Sequence, residues 1–134
     1  MTADSFDCAI LTRTVWGEAR SEPHAGKLAV AWVVMNRFKS GKWFAGKTIA
    51  STCLKSRQFS AWDHGDPNRE KMCDATMADL GECQAAALAA MLGTQDDPTD
   101  GCTHYHFVGI NPPWANGKQP HVTIGRHSFY KDIP

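Results

Sequence analysis

Three features of the sequence predict an α+β fold: apolar residues at helical spacing as far as residue 93, short aromatic and β-branched runs after residue 103, and turn-rich segments between them. The 134 residues suit one domain, 1–134, because a single core typically organises about 100–150 residues. Hydrophobic content of 43%, with five Trp and six Phe, supplies that core, and 21% charged residues argues against disorder.

Asp4 or Ser5 can cap a first helix running to Trp16, with Phe6, Ile10, Leu11, Val15 and Trp16 as its apolar residues and Glu18 near its carboxyl end. Pro23 starts a second helix, in which Leu28, Val30, Ala31, Val33, Val34 and Met35 form a nearly continuous apolar run that predicts burial. Arg37, Lys39 and Lys42 complement the dipole at its carboxyl end, and Gly41 ends it. Thr48 to Leu54 reads as a short helix and Asp63 to Asn68 as a surface loop rich in turn formers. Strong helix formers fill Asp79 to Leu92 and stop at Gly93. Thr103 to Val108 has the alternation of a strand; His121 to Ile124 and His127 to Tyr130 supply the remaining strand or strands, with Asn111 to Pro120 as a long connection.

Fourteen cations balance fourteen acids, so no overall basic field recruits nucleic acid or anionic lipid. The longest apolar window, Leu28 to Met35, is far short of the roughly 20 residues that cross a bilayer, and no stable membrane insertion is expected. Met1 to Asp7 lacks the basic and apolar pattern of a secretory signal, which predicts synthesis in the cytoplasm. Five cysteines cannot all pair within a monomer; buried thiols are expected, with Cys53–Cys73 and Cys83–Cys102 as the bridges that an oxidising compartment would allow.

Glu18 is the leading catalytic candidate. It lies in Trp16-Gly17-Glu18-Ala19-Arg20, where an indole and an apolar wall would dehydrate its charged form, raise its pKa and keep it protonated near neutral pH as a general acid. The competing reading is an ion pair with Arg20 or Arg37. Glu22 would share the face of Glu18 if the helix continued, as paired glycosidase carboxylates do, but Gly17 and Pro23 interrupt it and a solvated Glu22 is expected. His104 and His106 share a strand face, yet the chain has neither a CxxC pair nor an HExxH helix, and no metal site is expected. The glycines fit turns rather than a phosphate-binding loop.

Several ordered blocks carry a family resemblance. Trp16-Gly17-Glu18-Ala19-Arg20-Ser21-Glu22-Pro23, Gly26 and Ala29-Val30-Ala31-Trp32-Val33-Val34-Met35-Asn36-Arg37 closely resemble the opening motif of the SleB-type cell-wall hydrolases, which include spore-cortex-lytic enzymes and phage lysins. Gln58-Phe59-Ser60-Ala61-Trp62, Asp66-Pro67-Asn68, His104-Tyr105-His106, Pro113-Trp114 and Ile124-Gly125-Arg126-His127-Ser128-Phe129-Tyr130 look like later blocks in the family's order. The resemblance spans about residues 8 to 130. Ser21 replaces the usual Gly and Ala61 stands where related lysins often have Cys.

The resemblance implies a lysozyme-like fold, with a helical part and a small sheet flanking a cleft for peptidoglycan glycan strands. It also implies that Glu18 is the catalytic glutamate of a lytic transglycosylase, which needs no cofactor. There one acid protonates the glycosidic oxygen between N-acetylmuramic acid and N-acetylglucosamine, then as a carboxylate takes the proton of the muramic C6 hydroxyl as a 1,6-anhydro ring closes. A hydrolytic muramidase would need a second carboxylate about 5–10 Å away, for which Glu22, Asp63 and Asp66 are the candidates. Asn36, Gln58 and Ser60 are candidates to hydrogen-bond sugar substituents, Trp62 and Tyr105 to present flat faces to sugar rings, and His106 to line the cleft; Trp62 as a core plug, Tyr105 as a packed strand residue and Arg37 as a helix cap paired to an acid are the bland alternatives. The expected role is that of a monomeric phage or prophage endolysin, released by a holin-like pore to act in the periplasm or wall. The rival classes are a noncatalytic glycan-binding module and a zinc amidase or peptidase.

Overall fold

The computed structural model describes residues 4–55 and 58–134; Met1 to Ala3 of the amino-terminal segment discussed above lie outside them. Helix α1, Ser5–Ala19, begins where the Asp4 carboxylate accepts from the backbone N–H groups of Phe6 and Asp7, and it extends one turn beyond the expected end at Trp16. Gly17 permits that extension. A β-carbon there would collide with Met72 and lie 2.9 Å from the Ala61 side chain, so glycine lets two later segments close over the end of α1.

Helix α2, His24–Ser40, is the central element. It is buried almost all round because its apolar run meets helices on one side and the sheet on the other, and Gly41, at φ 67°, ends it. Short helix α3, Ile49–Leu54, starts with a reciprocal capping box between Thr48 and Ser51.

The expected loop, Asp63 to Asn68, gives way at its last two residues to a helix that was not expected. Asp66 caps it, Pro67 opens it, and α4 runs Pro67–Asp74. Met72 is its one buried residue, so hydrophobic periodicity gave no sign of it, although Asp followed by Pro is a helix-start signal. Helix α5, Met77–Leu92, begins at a Thr76–Asp79 capping box slightly ahead of the expected start and stops at Gly93, whose φ is 68°.

Strands β1, His104–Phe107, β2, Val122–Ile124, and β3, His127–Tyr130, form an antiparallel sheet in the order β1-β3-β2. Tyr105 pairs with Phe129 and Val122 pairs with Phe129 from the other side, making β3 the buried central strand. The main core joins Leu11 and Val15 of α1, Val30, Val34 and Met35 of α2, Ile49 and Cys53 of α3, and Ala87 and Ala90 of α5. A second cluster, Ala29, Val33, Cys102 and Phe129, fastens the sheet to α2. All five cysteines are free thiols; Cys53, Cys83 and Cys102 are buried as expected, whereas Cys8 is half-buried and Cys73 is exposed. Burial pushes the Cys53 thiol up to about 12 and the Cys102 thiol up to about 11.

Candidate active site

Glu18 leaves the last turn of α1 toward the sheet. The hydroxyl of Tyr105, from β1, donates to its Oε1 at 2.5 Å. Burial raises the carboxyl pKa above its ordinary value; the Tyr105 hydroxyl, the backbone of Ala61 and the positive charge of Arg37 oppose that rise, and the negative charge of Asp66 adds to it. The net effect favours the protonated acid. Neither ion pair considered for Glu18 forms: Arg20 bonds Asn68 and stacks 4.3 Å from the Trp16 ring centroid, and Arg37 bonds the Thr103 carbonyl at 2.5 Å and Gln58 Oε1 at 3.1 Å. The indole of Trp16 is thus taken by Arg20, and the polar contact to Glu18 comes from Tyr105.

Tyr105 is rigidly placed. Its ring packs 4.9 Å from His127 and 5.6 Å from Phe129, and its strand register fixes it opposite Phe129. Beside it opens a cleft of about 350 Å³ whose walls include Arg37, Trp43, Gln58, Tyr105, Trp114 and Lys118. Tyr105 joins cleft and acid, since its side chain lines the one and bonds the other. Glu18 stands one hydrogen bond behind that wall.

Of the residues expected to bind substrate, Tyr105 and Gln58 line the cleft, and Gln58 also holds the Arg37 guanidinium. Ser60 is exposed in the 3-10 turn Ser60–Trp62, next to Ala61, whose backbone reaches Glu18. Trp62 donates its indole N–H to Thr14 at 2.8 Å and packs on the main core. The Asn36 amide bonds Asp97 at 2.8 Å and the Cys102 carbonyl at 2.9 Å, tying α2 to the loop before β1. His106 lies behind the cleft wall: Nε2 meets the Tyr130 hydroxyl at 2.8 Å and the ring is tilted against Trp114. Trp43, Lys118, Ile133 and Pro134 line the cleft without having been expected there; a Trp two residues after the helix-ending Gly41 was the available signal.

Glu22 corrects an expectation. It is 4% exposed rather than solvated, and its Oε1 accepts the Arg126 N–H at 2.7 Å while lying 3.4 Å from His127 Nδ1. Gly125, at φ 58°, passes so close to this carboxylate that a β-carbon there would collide with Glu22 Oε1. Glu22 therefore docks the turn between β2 and β3 onto the start of α2. Arg37 corrects another: among the described residues no carboxylate lies within ion-pair distance of it, and its charge instead faces the rings of Phe59 and Phe44, 4.8 and 5.6 Å from their centroids.

The model of the cell wall hydrolase family matches residues 21–130. The chain belongs to that family. The matched segment begins three residues after Glu18 and takes in every strand of the sheet and the cleft residues Arg37, Trp43, Gln58, Tyr105, Trp114 and Lys118. Spore cortex-lytic enzymes are similar in sequence: that of Bacillus cereus is 30% identical over 93% of this chain and 44% of its own length, and that of Oceanobacillus iheyensis is 36% identical over 93% and 41%. The chain thus spans less than half the length of these curated relatives. The catalytic domain of the Bacillus cereus SleB protein superposes with a TM-score of 0.80 at 26% identity, covering 97% of this chain and 93% of that one. The catalytic domain of the germination-specific lytic transglycosylase SleB from Bacillus anthracis gives 0.74 at 26% identity, covering 96% and 97%. The lysozyme-like α+β architecture is shared with both.

Proposed function

We propose that the chain is one peptidoglycan-degrading catalytic domain that cleaves glycan strands between N-acetylmuramic acid and N-acetylglucosamine as a lytic transglycosylase. The observation that carries this reading is a half-buried carboxyl with a raised pKa, Glu18, held by a phenolic donor beside an aromatic cleft. Glu18 gives its proton to the glycosidic oxygen as the bond to the anomeric carbon breaks. The carboxylate left behind is stabilised by the Tyr105 hydroxyl and the Arg37 charge, then accepts the proton of the C6 hydroxyl as that oxygen closes on the anomeric carbon. The proton count balances, and the same residue ends as it began. Membership of the cell wall hydrolase family and likeness to a germination-specific lytic transglycosylase support the reading.

One observation favours a second reading. The negative charge of Asp66, whose carboxylate caps α4, acts on Glu18, and Asp66 is the carboxylate that would activate water in simple hydrolysis. Glu22 is removed from that role by its burial beneath the turn between β2 and β3. Digestion of purified sacculi followed by mass spectrometry separates the two, because anhydro products are about 18 Da lighter than hydrolysed ones. Anhydro-muropeptides are expected; reducing-end products alone would refute the transglycosylase reading. In this proposal the protein is a monomeric phage or prophage lysin that reaches the wall through a holin-like pore, so lysis on expression inside cells should require a co-expressed pore former.

A further inference from the structure

Behind the Tyr105–Glu18 hydrogen bond lies a buried polar pair that the cleavage chemistry does not use. His127 of β3 is 1% exposed, and its ring is closed in by those of Tyr105, Phe107 and Phe129, at centroid distances of 4.9, 4.7 and 6.1 Å. Its Nδ1 has no hydrogen-bond partner among the described residues. That nitrogen faces Glu22 Oε1 at 3.4 Å, just beyond the roughly 2.7–3.2 Å of an N–H···O bond. Leaving a buried polar atom without a partner is costly, and a phenyl ring would fill the same space without that cost. Packing alone therefore does not account for an imidazole here. Burial lowers its pKa from the ordinary value, with the Glu22 charge opposing and His106 adding, so the ring is neutral near pH 7. A carboxylate opposite Nδ1 favours the tautomer that carries its proton there, and the attraction is that of an N–H dipole, which is directional.

Glu22 is fixed from three directions. Its Oε1 accepts the Arg126 N–H, Gly125 passes against the same oxygen, and buried Lys27 donates to its backbone carbonyl at 2.5 Å. An imidazole aligned on this anchor closes one side of the Tyr105 ring, while Phe129 packs 5.6 Å from it. Neither Glu22 nor His127 lines the cleft, so their influence reaches Glu18 through Tyr105. We infer that Glu22 and His127 are positioning residues for the general acid: the carboxylate orients the imidazole, the imidazole holds the Tyr105 ring, and the ring keeps its hydroxyl on Glu18. The inference rests on the glycan-cleaving reading, in which Glu18 is that acid.

The pH profile of kcat/KM on purified sacculi tests it, with thermal melting as the fold control. His127→Phe keeps ring bulk against Tyr105 but offers Glu22 no N–H, so the phenol is free to turn off Glu18. The alkaline limb set by Glu18 should rise by about half a unit to one unit. At the optimum kcat should fall about three- to tenfold with KM unchanged, because the cleft walls are untouched. A purely structural role would lower the melting temperature and leave the limb in place. In a chain that already carries Tyr105→Phe, adding His127→Phe should move the limb no further, since the hydroxyl through which it acts is gone. Glu22→Gln, which can still accept the Arg126 N–H but carries no charge, should move the limb in the same direction. If His127→Phe does not fold, His127→Gln, which loses the flat face against Tyr105 yet can still donate to Glu22, carries the same expectation. An unmoved limb in the folded His127 variant, or an equal displacement with and without the Tyr105 hydroxyl, overturns the inference. An unmoved limb in Glu22→Gln overturns the role given to Glu22. Full turnover in Glu18→Gln would instead overturn the glycan-cleaving reading itself.

Discussion

Tyr105→Phe removes one atom and isolates what its hydroxyl does for Glu18. The ring, with its contacts to His127 and Phe129, stays in place, and only the 2.5 Å hydrogen bond to Oε1 is lost. A hydrogen bond to a charged group contributes about 1.5–3 kcal/mol. Because this bond favours the ionised carboxyl, its loss should raise the Glu18 pKa, and at about 1.4 kcal/mol per unit the range corresponds to one to two units. The lower end applies, since the Ala61 backbone and the Arg37 charge still hold the carboxylate. The alkaline limb of kcat/KM, set by loss of the proton from Glu18, should therefore move up by about one pH unit. At the optimum kcat should fall roughly tenfold, since the carboxylate formed on proton transfer has lost a donor. Turnover of purified sacculi measured from pH 4 to 10, with melting curves as a fold control, supplies the assay. An alkaline limb that stays still or moves down would refute the role given to Tyr105.

Glu18→Gln should abolish turnover while leaving the fold intact. A carboxyl with a raised folded pKa contributes stability below its unfolded value of about 4.3 and loses it as pH rises through the folded value, so the variant should melt higher than wild type at pH 8 and equally at pH 4. Burial, then Arg37 and Lys42, takes His104 down to about 3, so its stabilising contribution is complete above pH 6.5 and is lost as pH falls from there toward 3. His104→Gln, which cannot titrate, should flatten the decline in urea midpoint between pH 6.5 and 4; an unchanged decline would assign it to other groups. Gly125→Ala places a β-carbon against the Glu22 carboxylate at φ 58°, and chemical denaturation should show a loss of about 1–3 kcal/mol.

The helices that could be read from the sequence are those with a strong pattern and clear ends: α2 from its apolar run and Gly41, α5 from its Ala-rich stretch and Gly93. Helix α4 could not be read from periodicity because it buries one residue, Met72, and the stop of α1 was misplaced because Gly17, usually a breaker, is there to admit Met72 and Ala61. At the candidate site, Glu18 was singled out because its neighbours in sequence form a dense motif. Its partner Tyr105 was named as a sugar platform, and the hydrogen bond joining residues 87 positions apart was not foreseen. The buried state of Glu22 was equally hidden, since its partner is the backbone N–H of Arg126, and a backbone group leaves no mark in residue identity.

Local chemistry therefore set the strongly patterned elements, the choice of Glu18 as candidate acid and the family blocks, all of which depend on residues near one another along the chain. Tertiary structure decided the raised pKa of Glu18, its bond to Tyr105 and the burial of Glu22 and Arg37. Those properties depend on dehydration and on groups brought together from α1, α2 and the sheet, and neither burial nor distance is defined until the chain has folded.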